Sequence, residues 1–283
     1  MIAAGIVTYN PDIEQLRLNY LQYIKNVDRL YVYDNGSDNY LDIEDLFYKE
    51  EKAFLIEGRE NRGIAYGLNA IMYNAQRDGI SWVLTMDQDS ICQTDILTKL
   101  TPYCNNNIGI VHPYTIEKEG TKKYVQKEER IEYIDFCITS ASLTNVEAWN
   151  NAGGYDEWMF IDIVDFDFCA KLRELGYEII QVNDAFLLQE VGKLREINIC
   201  KRHIYVRNHS AKRKYYFVRN ILYCHYKHPH TFSFRIVIDL LLTTYLKVLL
   251  FEDCKIDKIQ LMNKGFRDAY KKIYMKGEKK NEN

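Results

Sequence analysis

Over the first 90 residues, short apolar runs that end in turn-forming residues alternate with helix-like segments. The runs "IAAGIVTYN" (2–10) and "DRLYVYDNGSD" (28–38) have the length and composition of buried strands, and each ends in polar residues. The segment between them, 12–24, has apolar residues at roughly helical spacing, namely Ile13, Leu16, Leu21 and Ile24. The order strand, helix, strand is the unit from which parallel sheets are built.

The same order recurs further along the chain. The run "AFLIEG" (53–58) predicts a strand, "GIAYGLNAIMYNAQRDG" (63–79) a helix, and "SWVLTMDQDS" (81–90) a fourth strand. Strands that alternate with helices predict an α/β fold, in which a mixed, mostly parallel sheet is flanked by helices and ligands bind at the carboxyl ends of the strands. Those ends carry the polar groups TYN, DNGSD, ENRG and DQDS.

Composition and cysteine usage limit the class of protein. With 283 residues, 47% of them hydrophobic, the chain can bury a substantial core, and we expect one large domain with an appendage. The seven cysteines are scattered and never spaced Cys-x-x-Cys, which argues against a disulfide framework or a thiolate zinc site and favours a reducing cytoplasm. The N-terminal residues enter a strand pattern without a basic region, so we expect no signal peptide.

Asp87 and Asp89 lie one residue apart, at the end of the fourth predicted strand. Two carboxylates on one turn repel each other unless a cation lies between them. Carboxylate oxygens favour Mg²⁺ or Mn²⁺, which also bind phosphate oxygens. The pair therefore predicts a metal ion and a diphosphate as ligands, although Asp-x-Asp taken alone is more often a solvated turn.

Five ordered motifs together resemble a known family. The motifs GIVTYNP, DNGSD, ENRGIAYGLN and DQDS resemble, in order and spacing, the nucleotide-sugar half of family 2 inverting glycosyltransferases of the GT-A fold. The segment "GGYDEWMFIDIVDFDFCAKLRELGY" (153–177) looks like the acceptor and base segment of that family, and "HSAKRKYYFVRN" (209–220) looks like a signature of its bacterial rhamnosyltransferase branch. The resemblance covers about residues 2 to 275.

The resemblance implies a nucleotide-diphosphate sugar as the donor. Asp34 stands where a carboxylate accepts the N3–H of uracil or thymine, unless Asp34, Asn35 and Gly36 merely form a turn. Gly63 permits close approach of the backbone just before a helix whose N-terminus favours an anion. The residues predicted to bind the nucleotide are Thr8, Asn10, Asp34, Asn61, Arg62, Gly63, Asn69 and Asp87.

The stretch "FIDIVDFDFCAKL" supplies the candidate base. The family motif is usually Glu-Asp-x-Asp, and its second acid deprotonates the acceptor hydroxyl. Here Val164 takes the place of the first acid, as in the rhamnosyltransferase branch, so the base is predicted to be Asp165, with Asp162 as the competitor. Asp167 is expected near the start of a helix, where the helix dipole favours a carboxylate.

A second departure from the family concerns the metal ion, Mg²⁺ or Mn²⁺. The family often has a histidine where this sequence has Gln189, which is a poorer ligand. Either Glu190 or a histidine such as His209 completes the site, or the metal is held mainly by Asp89 and phosphate. The predicted metal ligands are Asp87, Asp89 and His209.

Charge is unevenly distributed although the formal net charge is only −3. Between Glu196 and Asp239 there is no acidic residue, while nine Lys/Arg and five of the six histidines fall there. We expect a loop that clamps the diphosphate through Arg213, Tyr216 and Arg219, with a solvated basic face as the alternative. Nucleic acid is not an expected partner, because no known module frames the segment and the pI is near 6.1.

The run "FSFRIVIDLLLTTYLKVLLF" (232–251) is long and apolar. Arg235, Asp239 and Lys247 would make it expensive to place across a membrane. It is predicted either to pack on the catalytic domain or on the partner in a homodimer, or to dock shallowly at the inner face of the cytoplasmic membrane.

The predicted domains follow from these segments. They are a GT-A catalytic domain (1–225), made of a nucleotide-binding half (1–100) and an acceptor-binding half with the basic loop (101–225), then a C-terminal helical region (226–275) and a disordered tail (276–283).

The predicted function is inverting transfer of a sugar, with rhamnose from dTDP-rhamnose as the first choice, to a hydroxyl of a cell-surface polysaccharide precursor such as capsule or O-antigen. The acceptor is a saccharide or a lipid-linked saccharide. The alternatives are a UDP-hexose or UDP-galactofuranose transferase of the same fold, or a nucleotide-sugar-binding protein without catalysis. The predicted location is the cytoplasm, with peripheral contact at the inner membrane face.

Overall fold

The structure is a computed structural model in which two compact units are distinguished. Unit 1 comprises Met1–Phe160 and Val164–Val191, and unit 2 comprises Ile161–Ile163 and Gly192–Asn283. The residues that the structure describes are 1–118, 124–125, 127–189, 195–199 and 202–281. Glu190, one of the candidate metal ligands, lies outside the described residues.

Unit 1 is built on a mixed, mostly parallel nine-stranded sheet in the order β3-β2-β1-β4-β8-β6-β9-β5, with β7 paired to β9. Strands β1 to β4 are mutually parallel, as are β6 and β9, whereas β8 runs antiparallel between β4 and β6. The strands are β1 (Ile2–Thr8), β2 (Arg29–Asp34), β3 (Ala53–Glu57), β4 (Trp82–Asp87), β5 (Ile91–Cys92), β6 (Ile108–Glu117), β7 (Ile131–Tyr133), β8 (Ser142–Asn145) and β9 (Glu178–Gln189).

Helices flank this sheet, so the predicted α/β class is confirmed. They are α1 (Ile13–Tyr20), α2 (Tyr40–Phe47), α3 (Ile64–Arg77), α4 (Ile96–Leu100), α5 (Val146–Asn151) and α6 (Val164–Glu174), with short 3₁₀ helices at Ile24–Asn26, Thr101–Tyr103 and Glu157–Met159. The helix predicted over 12–24 is too long, because α1 ends at Tyr20 and Leu21 is 44% exposed. Ile24 is buried instead from the 3₁₀ turn that follows.

The parallel register brings the strand ends to one edge of the sheet. Thr8 lies opposite Asp34, and Val7 lies opposite Asp87. The central strands read as nearly continuous apolar runs because helices cover both faces. Gly5 of β1 lies directly under α3, since a Cβ there would overlap the side chain of Ile71.

Unit 2 contains a hairpin and three helices. The hairpin pairs β10 (Arg195–Ile199) with β11 (Arg202–Val206), and the helices are α7 (Ala211–Lys227), α8 (Phe234–Phe251) and α9 (Lys255–Asn281). Helices α7 and α9 are in close contact at Gly265, where a Cβ would lie 2.5 Å from the carbonyl oxygen of Tyr215. Within the described residues, no helix combines the length and apolar character needed to cross a membrane.

The predicted division at residues 225 and 275 stays a prediction. The predicted tail, 276–283, overlaps the end of α9, and the side chains there lie outside the described part of the chain.

Candidate active site

The carboxylate of Asp34 is buried at the end of β2 and is held by four hydrogen bonds. Its Oδ1 accepts from the hydroxyls of Thr8 (3.2 Å) and Ser37 (2.5 Å), and its Oδ2 accepts from the backbone N–H groups of Gly36 (3.0 Å) and Ser37 (2.9 Å). Asp34 is only 2% exposed. The turn interpretation of DNGSD is therefore confirmed in its geometry, and base recognition by Asp34 stays a prediction.

Asn10 joins the loop after β1 to the loop after β2. Its backbone N–H donates to Ser37 Oγ (2.8 Å), and its Oδ1 accepts from the backbone N–H of Asp38 (2.7 Å). Asn10 adopts φ 46°, a left-handed conformation that asparagine tolerates better than most residues. The two loops that flank Thr8 and Asp34 thus form one hydrogen-bonded rim.

The segment 61–63 closes the rim on the side of α3. Asn35 Oδ1 accepts from the backbone N–H of Arg62 (2.9 Å), and Asn61 Oδ1 accepts from that of Gly63 (3.0 Å). The first N–H of α3, from Ile64, donates to the carbonyl oxygen of Phe160 at 2.7 Å. These three amide groups have internal acceptors, and anion binding at the N-terminus of α3 stays a prediction.

Gly63 and Arg62 have distinct local roles. Gly63 adopts φ +89°, and a Cβ on it would lie 2.5 Å from the carbonyl oxygen of Phe160, so any side chain would push the two segments apart. The guanidinium of the exposed Arg62 lies over the ring of Tyr66, 3.5 Å from its centroid. This stacking holds the cation at the rim, where the motif predicts a nucleotide contact.

Asn69 is buried and its amide is fully used inside unit 1. Its Oδ1 accepts from Trp149 Nε1 (3.1 Å) and the backbone N–H of Tyr155 (2.9 Å), while its Nδ2 donates to the Tyr155 carbonyl and to Glu157, both at 3.0 Å. Asn69 therefore fastens the segment 149–157 to α3, and a direct contact with the nucleotide stays a prediction.

A polar cavity of about 420 Å³ lies beside this segment, on the flank of α3 and α5 rather than at the strand ends. Of the predicted nucleotide-binding residues, it is lined by Asn69 alone.

The turn after β4 carries the two predicted metal ligands. Asp87 is partly buried and Asp89 is exposed. Asn19 of α1, itself fully buried, donates through Nδ2 to the carbonyl oxygens of Asp87 (2.9 Å) and of Ser90. Gln15 of the same helix donates to the carbonyl oxygen of Asp89 (2.9 Å). Two amides of α1 thus fix the backbone of the aspartate turn.

Gln88 fixes the same turn from the other side. Its Oε1 accepts from the backbone N–H of Tyr9 (2.8 Å), and its Nε2 donates to the carbonyl oxygen of Tyr9 (3.3 Å). The side chain thereby mimics a strand neighbour and joins the turn after β4 to the loop after β1. Sequence reasoning missed Asn19, Gln15 and Gln88. The available signals were the amides on the helix that follows the first strand and the glutamine inside the DQDS motif itself.

The aspartate turn fits a hard divalent cation. Mg²⁺ and Mn²⁺ favour oxygen ligands, and Mg²⁺ is commonly held by one or two carboxylates together with substrate phosphates. Over the described parts of the chain, no three His, Cys, Asp or Glu side chains lie close enough together to hold a metal ion by themselves. Asp87 and Asp89 offer carboxylate oxygens, which are the ligands that such a metal shares with a diphosphate.

Asp165 lies in the first turn of α6. The helix begins at Val164, one turn earlier than the sequence indicated, so Asp165 and Asp167 both lie in its first turn. Asp165 is partly buried, and one of its carboxylate oxygens accepts from the backbone N–H of Phe166 (3.0 Å). Asp167 is fully buried and forms an ion pair with Lys171 (3.6 Å). The two carboxylates therefore have different surroundings, and Asp167 has a structural partner.

Asp162 belongs to a strained loop of unit 2. Asp162 and Ile163 adopt φ values of 63° and 66°, which cost about 1–3 kcal/mol each and persist only where neighbours enforce them. Asn220 of α7 enforces them here, since its Nδ2 donates to the carbonyl oxygens of Ile161 and Asp162, both at 2.8 Å. The asparagine of the Arg-Asn motif is thus a residue that positions this loop.

The Asp162 carboxylate is paired with Arg213. Arg213 Nε donates to Oδ1 (2.9 Å) and lies 3.2 Å from Oδ2. Burial raises the pKa of Asp162 above its ordinary value, although the positive charge of Arg213 partly offsets that effect. Arg213, predicted to clamp the diphosphate, is therefore occupied by an internal carboxylate in this structure.

The other two predicted diphosphate residues stack on each other. The guanidinium of Arg219 lies 4.7 Å from the ring centroid of Tyr216 and 5.4 Å from that of Tyr215, and Arg219 is only 7% exposed. Its Nε donates to Asn220 (3.0 Å), so it supports the residue that holds the strained loop. A direct contact of Arg219 with diphosphate stays a prediction.

His209 is partly buried just before α7. Burial, followed by the positive charges of Arg213, Lys214 and Arg207, lowers its pKa to about 4. The imidazole is therefore neutral near pH 7, which is the form that binds a metal ion. Its predicted place among the metal ligands stays a prediction.

The sheet order, the helices on both faces and the carboxylates at the strand ends define a glycosyltransferase fold of the GT-A type. The model of the family described as glycosyl transferase family 2 matches residues 5–158. The chain belongs to glycosyl transferase family 2.

One curated relative and two solved structures illustrate the similarity. Over 236 residues the chain is 28% identical to the dTDP-rhamnosyl transferase RfbF of Shigella flexneri, covering 77% of this chain and 78% of that protein. S. aureus TarS in complex with UDP-GlcNAc has a TM-score of 0.58 at 13% identity, covering 96% of this chain and 82% of that one. GalNAc-T7 with UDP, GalNAc and Mn2+ has a TM-score of 0.62 at 11% identity; 97% of this chain matches 56% of that chain. At such low identities the two structures support the fold alone.

We expect Asn19→Leu to weaken metal-dependent nucleotide binding at least about ten-fold. The leucine leaves the carbonyl oxygens of Asp87 and Ser90 without their buried donor, which costs about 1–3 kcal/mol of free energy. The turn either stays in place at that cost or shifts to find other donors, and a shift displaces the two carboxylates. Calorimetric titration of nucleotide diphosphate with Mn²⁺ measures the effect. Gln22→Leu is the matched control, because Gln22 is a partly buried amide just after α1 whose Nε2 donates only locally, to the carbonyl oxygen of Leu18. Unchanged affinity in Asn19→Leu would show that the turn holds its geometry without α1.

Proposed function

We propose that the protein transfers a sugar from a nucleotide diphosphate to a hydroxyl of a cell-surface polysaccharide precursor, with rhamnose from dTDP-rhamnose as the donor. The observation that carries this proposal is the aspartate turn after β4, in a chain that belongs to glycosyl transferase family 2. Asn19 of α1 and Gln88 fix this turn from two sides, and Gln88 joins it to the loop after β1. The similarity to a dTDP-rhamnosyl transferase supports the choice of donor. The precursor of a capsule or O-antigen is the proposed acceptor, free or lipid-linked.

Asp165 is proposed as the base of a single displacement. Its carboxylate takes the proton of the acceptor hydroxyl as the oxygen bonds to the anomeric carbon, and the bond from that carbon to the diphosphate breaks on the opposite face. Such a displacement inverts the anomeric configuration. The position of Asp165 in the first turn of α6, where it is partly buried, supports this role because the carboxylate is held by a short local bond and still reaches the surface.

Asp87 and Asp89 are proposed to anchor Mg²⁺ or Mn²⁺ against the diphosphate. A bound divalent cation neutralises negative charge that develops on the departing diphosphate. The task of the chain is to hold both carboxylates on one turn, and Asn19, Gln15 and Gln88 do so through its backbone. His209 is the proposed third protein ligand, in its neutral form, which is the form that binds a metal ion.

Arg213, Tyr216 and Arg219 are proposed to stabilise the leaving diphosphate, as the motif implies. Arg213 is the best supported of the three, since its side chain is 46% exposed and its acceptor is a single carboxylate. Only Nε of Arg213 donates to Asp162, so its two terminal NH₂ groups can bind phosphate while the ion pair is kept. Asp162 is proposed to bind or orient the acceptor hydroxyl.

A UDP-hexose or UDP-galactofuranose donor is the second candidate. It stays open because Asp34 would accept the N3–H of uracil as it would that of thymine. A nucleotide-sugar-binding protein without catalysis is the third candidate, and the carboxylates present at positions 87, 89 and 165 argue against it.

A thermal-shift panel tests the choice of donor. The chain is heated with dTDP-rhamnose, other dTDP-sugars, UDP-hexoses and UDP-galactofuranose, each with and without Mn²⁺. A ligand at about 100 times its Kd stabilises the fold by about 2.7 kcal/mol, which is readily seen. We expect dTDP-rhamnose with Mn²⁺ to give the largest shift, and a larger shift with a UDP-sugar would favour the second candidate.

We expect Asp34→Ala to weaken dTDP and UDP together, since both bases present the same N3–H to the carboxylate. Discrimination between donor sugars should persist. The change also removes the acceptor of four internal bonds, so Ser37→Ala is the control that disturbs the turn alone. If calorimetry shows that both variants lose nucleotide affinity equally, Asp34 acts only through the turn that it holds.

We expect Asp89→Ala to abolish the Mn²⁺-dependent part of donor binding, because the cation loses an exposed carboxylate anchor while the backbone of the turn stays in place. Thermal shifts with dTDP, with and without Mn²⁺, measure the difference. Asp38→Ala, another exposed aspartate of the rim loops, is the control. Undiminished Mn²⁺-dependent stabilisation in Asp89→Ala would contradict the metal assignment.

A further inference from the structure

The C-terminal half of α8 exposes a stripe of leucines. Leu242, Leu246, Leu249 and Leu250 are 50% to 61% exposed. Their spacing of four, three and one residues places them on one face of the helix. The opposite face packs inward through Val237, Leu241 and Val248, which are all buried.

This stripe lies in a segment without exposed charge. Between Leu240 and Leu250, about three helical turns, Lys247 is the only Asp, Glu, Lys or Arg in the sequence. Its ammonium group donates to the carbonyl oxygen of Tyr205 (3.2 Å), so its charge is directed toward β11. Exposed apolar stripes of this kind usually mark an interaction surface.

We propose that the leucine stripe of α8 docks on the surface of an anionic lipid bilayer. The rest of unit 2 carries the complementary charge. The sequence of α9 has nine Lys/Arg against three Asp/Glu, and eight of the nine remain when Lys258, which is buried against Glu252, is set aside. Basic residues next to an amphipathic helix are attracted to anionic headgroups while the apolar face enters the acyl boundary.

A second copy of the chain is a poorer occupant for two reasons. It would bring the same excess of positive charge to the interface, and like charges repel across an interface. The stripe is also small, because a leucine offers on the order of 100 Å² of apolar surface. Four leucines that are 50% to 61% exposed then supply roughly 200 Å², about a quarter of what one partner buries in a stable interface.

The docking is interfacial and does not depend on the transfer reaction. Arg235 and Asp239 lie in the first turns of α8, among the exposed Phe234, Ile236 and Ile238, so the apolar surface is free of acidic residues only in the C-terminal half, and the helix lies along the bilayer surface instead of crossing it. The proposal therefore stands or falls separately from the proposed function, and vesicles without donor or acceptor are enough to test it.

Flotation of the full chain with vesicles tests the proposal. Vesicles of phosphatidylcholine with 30 mol% phosphatidylglycerol, roughly the anionic content that attracts basic segments, are compared with pure phosphatidylcholine. We expect binding to the anionic vesicles, weakened by added salt. The triple variant Leu242→Ser, Leu246→Ser, Leu249→Ser should bind at least about ten-fold more weakly. The matched control changes three exposed leucines of unit 1 to serine, at Leu18, Leu41 and Leu175, and should bind like the parent chain.

A second variant adds a readout that does not depend on loss of binding. Leu246→Trp should show fluorescence quenched by brominated lipid in the anionic vesicles, whereas Leu41→Trp should not. The proposal is overturned if the α8 triple variant binds as well as the control, or if Leu246→Trp is not quenched. It is also overturned if sedimentation shows a dimer that the triple variant dissociates while the parent chain ignores vesicles, since the stripe is then a contact between copies.

Discussion

Replacing Asp165 by asparagine is expected to slow sugar transfer by about 10²–10⁴-fold while leaving nucleotide affinity nearly unchanged. A general base contributes that much to the rate, and the amide cannot accept the proton of the acceptor hydroxyl. Asparagine keeps an oxygen that can accept from the N–H of Phe166, so the start of α6 should be preserved. Steady-state transfer rates and calorimetric binding of the donor measure the two quantities.

Asp162→Asn is the matched variant, because Asp162 is the competing candidate for the base. Asp162 lies in the strained loop held by Asn220, and its carboxylate accepts from Arg213. If Asp162 binds or orients the acceptor hydroxyl, the asparagine variant should chiefly raise the KM for acceptor. A dead Asp162→Asn that still binds donor, beside an Asp165→Asn with near-normal kcat, would make Asp162 the base.

Glu252→Gln is expected to destabilise unit 2 by about 3–5 kcal/mol, the cost of leaving buried charges without their partner. The side chain of Glu252 is 1% exposed, and its two oxygens accept from Lys214 Nζ (2.6 Å) and Lys258 Nζ (2.8 Å). Both ammonium groups would lose their counter-charge in the variant. Urea unfolding followed by circular dichroism measures the change, and Glu44→Gln, an exposed glutamate of α2, is the control. A loss under about 1 kcal/mol would show that water or a nearby acid compensates the two lysines.

The same triad predicts how stability depends on pH. Burial alone raises the pKa of Glu252, but the hydrogen bonds and charges of Lys214 and Lys258 outweigh it and hold the pKa below its ordinary value of 4.5. Just below pH 4.5, Glu252 therefore stays ionised in the folded state while it binds a proton in the unfolded state. The contribution of the triad is therefore complete above about pH 4.5 and is lost as the pH falls below that value. Glu252→Gln should lack this part of the acid dependence.

The part of the fold that follows from local pattern was predictable from the sequence. The first four strands were predicted from their apolar runs, which are largely buried in β1, β2 and β4 and only partly buried in the edge strand β3. They end at Thr8, Asp34, Glu57 and Asp87, where the sequence places polar groups. The helix over 12–24 was predicted too long, because the apolar spacing continues past Tyr20 although the chain there turns into a 3₁₀ segment.

The support of the site was not predictable in this way. Asn19 and Gln15 contact the aspartate turn across separations of 68 to 74 residues, and nothing in the local pattern of α1 distinguishes these amides from solvent-facing ones. The saturation of Asn69 by internal partners, and the bond from the first N–H of α3 to Phe160, likewise depend on tertiary neighbours. A motif identifies candidate residues, whereas only the structure shows how many of their donors and acceptors are already bonded inside the protein.

Turnover of dTDP-rhamnose by the purified chain tests the central claim most directly. The chain is incubated with Mn²⁺, the donor and an array of saccharide acceptors, and mass spectrometry follows both released dTDP and acceptors that gain one deoxyhexose, while NMR of the product reads its anomeric configuration. The account predicts dTDP release coupled to a product of inverted configuration, with both signals lost in Asp165→Asn. Release of nucleotide diphosphate no faster than in Asp165→Asn, for every dTDP- and UDP-sugar tried, would contradict it.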